Sequence, residues 1–350
     1  MSAFVRRAGL IGALSVSLSV AACQTPEPPA PPPPPPLPAV ALNAGVAEAA
    51  SIYLGYISMS STLGASFANG AEVRQSMLQA SAYEPAQLSR GMVAYAAIIA
   101  LQSPEFVNGV RNLAADPANR DTLLRQIIAD PAYAAQLPGA AQAAGLISAQ
   151  LQGNGNGMYA AGAAIKQTAY DIQRQRWSAQ HVTDRESRLE QVRVLGVTPL
   201  NVDYVSSATL QQAALSGHGL NLSAAQASPP YTQAVVRGLA LAALAALGQA
   251  GEDNRVQTEA LLNEPVSADC LNFTRLMILQ CLAASRPHYE EIFCLGQHLM
   301  MDTAQCVIDS AGTVTFAPPP DAPLLTADQP ALEPAGSMAD VPSTEAQTPN

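Results

Sequence analysis

The chain has 350 residues, a formal net charge of −10 and 13% charged residues. So acidic a chain lacks the basic footprint of a nucleic-acid binder and is not drawn to anionic lipid by charge. Its single lysine, Lys166, follows Ala163, Ala164 and Ile165, which excludes a G-x-x-x-x-G-K-[ST] phosphate loop and an S-x-x-K penicillin-binding motif. H-E-x-x-H and G-x-S-x-G are absent too.

At the front, Arg6 and Arg7 precede an apolar stretch from Ala8 to Val20, which is too short to span a bilayer but has the length of a secretory h-region. Val20, Ala21 and Ala22 then lead into Cys23. These residues resemble the lipobox of bacterial lipoproteins. The resemblance implies cleavage after Ala22, a lipid on the Cys23 sulfur and acylation of the new amine. Gln24 rather than Asp follows the cysteine, which by the same analogy implies outer-membrane lipid as the anchoring partner, with the body facing the periplasm or the cell surface. An ordinary signal peptide cut at this place leaves Cys23 as a free thiol instead. Cleavage removes two arginines and no acid, so 15 bases face 27 acids in the mature chain.

Residues 23–40 form a proline-rich spacer, with Pro26, Pro28, Pro29, Pro31–Pro36 and Pro38. Such a run favours extended polyproline backbone, and Cys23 to Pro38 reaches on the order of 50 Å. A helical domain is expected over 41–316 and a disordered acidic tail over 317–350, where Pro, Ala, Asp, Glu and Thr leave little apolar surface to bury.

The fold class predicted for the body is all-α: an Ala-rich helical bundle with a C-terminal disulfide-stapled helical hairpin. Apolar residues recur at helical spacing and β-branched alternation is scarce. A first helix is predicted from Leu42 to Phe67, its Gly45, Ala49, Ser60 and Gly64 allowing a close neighbour. "SPEF" at 103, "DPAN" at 116 and "DPAY" at 130 each place Ser or Asp before Pro, an N-cap followed by an N1 proline. Each predicts a helix of about three turns. "QGNGNG" at 152–157 reads as an interhelical loop. A helix then runs from Met158 through Trp177. The mixed-charge stretch to Arg193 reads as a solvated helix with Asp184–Arg188 and Glu190–Arg193 pairs. Ser228 to Gly248, with "VVRGLALAALAALG", predicts a fully buried central helix.

Cys270, Cys281, Cys294 and Cys306 form an even set that suits an oxidising compartment. They fall on two predicted helices within 265–310, the first capped by Ser267 and the second started by Pro287. Cysteines eleven or twelve residues apart on one helix lie about 16 Å apart, beyond disulfide reach. Antiparallel packing therefore predicts Cys270–Cys306 and Cys281–Cys294. The geometry resembles the twin-cysteine hairpins of the mitochondrial intermembrane space, with wider gaps.

On the second helix, His288, Glu291, His298 and Asp302 share a stripe. His298, Asp302 and Glu291 are the candidate ligands of a divalent metal, with Gly296 as a point where the helix breaks. The competing expectation is a local His298–Asp302 hydrogen bond and glutamates stabilised by a helix N-terminus. No cofactor is expected beyond the covalent lipid on Cys23. No catalytic set emerges. The function expected is a lipid-anchored cell-envelope scaffold or accessory protein that acts on an envelope protein partner. A periplasmic hydrolase of wall polymers and an apolar-ligand carrier are the alternatives.

Overall fold

A computed structural model describes residues 37–312. The signal segment, Cys23, most of the spacer and the 317–350 tail lie outside the described residues.

Thirteen α-helices follow one another, and the described residues contain isolated bridges but no strand. They are α1 (Ala44–Ser61), α2 (Gly70–Ser81), α3 (Pro85–Ala100), α4 (Pro104–Leu113), α5 (Pro117–Ala129), α6 (Ala140–Ile172), α7 (Arg185–Leu195), α8 (Tyr204–Ser216), α9 (Gln233–Ala246), α10 (Arg255–Leu262), α11 (Pro265–Ala284), α12 (His288–Cys294) and α13 (Asp302–Ala311). A 3₁₀ turn spans Pro131–Gln136, another Glu252–Asn254, and a π turn spans Leu295–Met301 between α12 and α13. The all-α bundle and the stapled hairpin are thus observed.

The core forms around α3 and α9. From Leu239 to Leu247 every residue of the α9 strip is 0% exposed. α3 packs against α9, α1, α6 and α11. Side chains as small as alanine let these helices approach closely. Thr232 caps α9 through its hydroxyl, which accepts from the Val235 N–H.

Several boundaries differ from expectation. α1 stops at Ser61, not Phe67, because Thr62 turns its hydroxyl back onto the Ser58 and Met59 carbonyls. Asn69 then caps α2 by accepting from the Ala71 and Glu72 N–H groups. Ser103 and Asp116 cap α4 and α5 as predicted, each with proline at the first helical position. Asp130 also caps, but its module is only a 3₁₀ turn. Pro138 and Gly139 follow at once, and Gly139 adopts φ +81° against the Glu105–Phe106 backbone, which turns the chain into α6.

The expected loop at 152–157 is a correction: those residues lie inside α6, an unbroken helix of 33 residues. Gly155 there, like Gly162 two turns on, provides clearance rather than a break. A Cβ at Gly155 would lie 2.5 Å from Ile308 Cγ1, and one at Gly162 would lie 2.5 Å from Met300 Cβ. α13 and the π turn run antiparallel along this glycine face, and Gly312 O accepts from Gln152 Nε2 at 2.8 Å. α6 ends at Ile172, short of Trp177. α11 is capped not by Ser267 but by Glu264, whose carboxylate accepts from the Val266 and Ser267 N–H groups ahead of Pro265.

Candidate functional site

The C-terminal end of α6 meets α12, the π turn and the end of α11. The Cys281–Cys294 disulfide, with Cα atoms 5.8 Å apart, ties α11 to α12. Cys270–Cys306, also at 5.8 Å, ties α11 to α13. Both predicted pairings are formed.

A glycine crossing shapes the π turn. A Cβ on Gly296 would sit 2.5 Å from Lys166 N and 2.8 Å from Gly162 O, so the turn touches the α6 backbone. The extra residue of a π turn re-aims side chains, and here it lines up four polar groups. Lys166 Nζ donates to Gln297 Oε1 at 2.7 Å. Gln297 Nε2 donates to Asp302 Oδ1 at 2.7 Å, and Asp302 Oδ2 lies 2.7 Å from His298 Nδ1. Burial pushes the Asp302 carboxyl up, but the hydrogen bonds from His298 and Gln297, with the Lys166 charge, outweigh it and hold the group below the usual range.

Glu291 belongs to a different set. It is 3% exposed and its Oε2 accepts from Arg188 Nη1 at 2.6 Å. Arg188 Nε donates to Asp184 Oδ1 at 2.8 Å, and Arg74 Nη1 donates to Asp184 Oδ2 at 2.9 Å. This chain of charges clamps α12, α7 and α2 together. Burial pushes the Glu291 carboxyl up to about 6 despite the arginine. His288 packs over Gly70, near Trp177, with Nδ1 3.6 Å from Glu291 Oε2. Burial first, and the Arg188 charge second, lower its pKa.

The three expected metal ligands are therefore divided. His298 and Asp302 pair with each other, while Glu291 faces Arg188. Among the described residues no group of three or more His, Cys, Asp or Glu side chains is placed to hold an ion. The solvated reading of 174–193 is corrected at Arg188, only 12% exposed, because its guanidinium turns inward to Glu291. The Glu190–Arg193 pair is on the surface as expected, with more than half of each side chain exposed.

Beside the polar chain lies a cavity of about 390 Å³ between α6, α11 and α12. Ala169, Tyr170, Ala284, Tyr289, Phe293 and the Cys281–Cys294 bridge line it, with Gln173, Ser285 and Glu290 completing the wall. Lys166 Nζ stands 5.4 Å from the Phe293 ring centre, and Phe293 meets Tyr170 edge-on at 6.1 Å. The size falls in the range of ligand sites, and the lining is aromatic and apolar with a few polar groups.

Arg275 and Tyr83 were not legible as important. Arg275 is 6% exposed, donates to the Ser81 and Val192 carbonyls and lies over the Tyr83 ring. Tyr83 Oη shares hydrogen bonds with Thr274 and Thr303. A lone arginine at a buried helical position was the available signal.

The fold and site define an all-helical domain with a doubly stapled C-terminal segment. No protein-family model matches the chain, and neither a curated protein nor a solved structure is significantly similar to it.

Proposed function

We propose that this protein is a lipid-anchored component of the bacterial cell envelope that acts by docking onto another envelope protein. The observation that carries the reading is α9. Its 0% exposed strip from Leu239 to Leu247 is packed solid by α3 and its neighbours. A solid centre suits a scaffold that works through its outside. An apolar-ligand carrier instead needs space inside the bundle.

Other features support the same reading. The Val20–Cys23 lipobox supports an anchor. Two formed disulfides suit export to an oxidising compartment. No helix among the described residues is long and apolar enough to cross a membrane. The outer face of α11 presents Val266 (66% exposed), Phe273 (63%) and Leu276 (58%) along one stripe, the kind of anchor that interfaces bury.

Photo-crosslinkers placed at Val266, Phe273 and Leu276 in the anchored protein test this in cells. The expected result is one defined envelope partner, captured from some positions and not others, and lost when Cys23→Ser releases the body. Loss of a wall-polymer hydrolysis activity on His298→Ala, or an apolar molecule retained in native mass spectra, overturns it.

A further inference from the structure

We infer that the aromatic cavity at the end of α6 binds a proline-rich acidic segment, and that its occupant is the chain's own Ala317–Leu325, "APPPDAPLL". This goes beyond the scaffold reading and does not depend on the anchor.

The chemistry of the cavity fits such a ligand. A polyproline strand has no internal hydrogen bonds, is preordered, and docks by laying its rings on aromatic side chains while its carbonyls accept from nearby donors. Tyr170 and Phe293 stand edge to face at 72°, and Tyr289 shares the wall with them. The tyrosine hydroxyls and the Gln173 carboxamide supply donors.

Reach selects the segment. Gly312 is held at Gln152, and the α6 residues lining the cavity, Ala169 to Gln173, lie about 26–32 Å farther along the helix. At about 3.1 Å per residue, extended backbone leaving Gly312 arrives at this distance between Pro320 and Pro323. The N-terminal proline run falls short. Arg111 Nη1 holds the Pro38 carbonyl at 2.8 Å, and Gly109 of the same helix packs on Pro138, beside the start of α6. From there Tyr170 is about 45 Å away, whereas Pro38 back to Pro26 extends about 37 Å.

Charge agrees. Positions 313–350 carry Asp321, Asp328, Glu333, Asp340 and Glu345 and no base. At the cavity, the Lys166 ammonium stands over the Phe293 ring. The lining carboxylate, Glu290, is held by the Arg286 N–H at 2.6 Å.

The test titrates a fluorescent peptide of residues 317–325 into the full chain and into a chain ending at Gly312, which retains every described residue. The shortened chain is expected to bind, and the full chain to bind the added peptide about ten-fold more weakly because its own segment competes. Tyr170→Ala, at a half-exposed position, is expected to weaken binding to the shortened chain at least about ten-fold while circular dichroism shows the helical fold retained. A photo-reactive group at position 319 is expected to crosslink within one chain, to the cavity. Equal affinity for the two chains, no binding to the shortened chain, indifference to Tyr170→Ala, or a crosslink between two chains each overturns the assignment.

Discussion

Arg188 and Glu291 form the most buried ion pair described, with Nη1 and Oε2 2.6 Å apart and side chains 12% and 4% exposed. The pair joins α7 to α12 and sits at the end of the charge chain that reaches Arg74 on α2. Removing one partner strands the other charge away from water. Arg188→Ala is expected to destabilise the protein by about 3–5 kcal/mol, and Arg188→Met with Glu291→Leu by much less. Chemical denaturation of the single and double variants measures this, and a single-variant cost below about 1 kcal/mol contradicts the buried geometry.

The same carboxyl gives a pH signature. Glu291 in the folded protein titrates near 6, above the ordinary value of 4.5. Between those values the folded state binds more protons than the unfolded one, so this group's contribution to stability falls as pH rises. The upward displacement corresponds to about 2 kcal/mol. The stability of wild type relative to Glu291→Gln is therefore expected to increase as pH is lowered from 6.5 to 4.5. His288, lowered by burial, acts in the opposite sense just below 6.5, so a His288→Asn background isolates the effect. A pH-independent difference contradicts the assignment.

The two staples differ in the chain they close, with sequence separations of 36 and 13. By loop-closure entropy, removing Cys270–Cys306 is expected to cost about 4 kcal/mol and removing Cys281–Cys294 about 3 kcal/mol. Paired serine variants followed by thermal melts give the order. The shorter bridge also floors the aromatic cavity, so its loss is expected to alter Tyr289 and Phe293 resonances beyond any change in melting temperature.

Gly296→Ala places a methyl 2.5 Å from backbone N of Lys166. Backbone cannot yield as a flexible side chain does, so the π turn must move off α6. The expected cost is about 1–3 kcal/mol. The Lys166–Gln297–Asp302–His298 chain would loosen with it, visible as a rise in the Asp302 pKa. Gly153→Ala, with open space around it, serves as the control and is expected to be neutral or stabilising.

How far the sequence was legible follows from where the information sits. Proline after Ser or Asp is local chemistry, so the starts of α4 and α5 were readable. The cysteine pairing was readable because helix rise forbids bridges within one helix and antiparallel packing then sets the first cysteine beside the last. The buried α9 was readable because nothing but apolar residues fills positions 238–248 after Arg237. By contrast, Gly153, Gly155 and Gly157 look like a loop in isolation; the approach of Ala304 and Ile308 from α13 accounts for Gly155, while Gly157 faces Ser61 and Gly153 has open space around it. Arg188 looks like any surface arginine until Glu291 arrives from 103 residues away. The candidate metal stripe assumed one regular helix, and the π turn shifts the phase between Glu291 and Asp302.

Intact-mass measurement of the protein purified from bacterial membranes tests the central claim most directly. The account predicts a chain beginning at Cys23, heavier than its polypeptide by a diacylglyceryl group and a further acyl chain, with Cys270, Cys281, Cys294 and Cys306 all oxidised. A chain that still begins at Met1, or one beginning at Cys23 with an unmodified thiol, contradicts it.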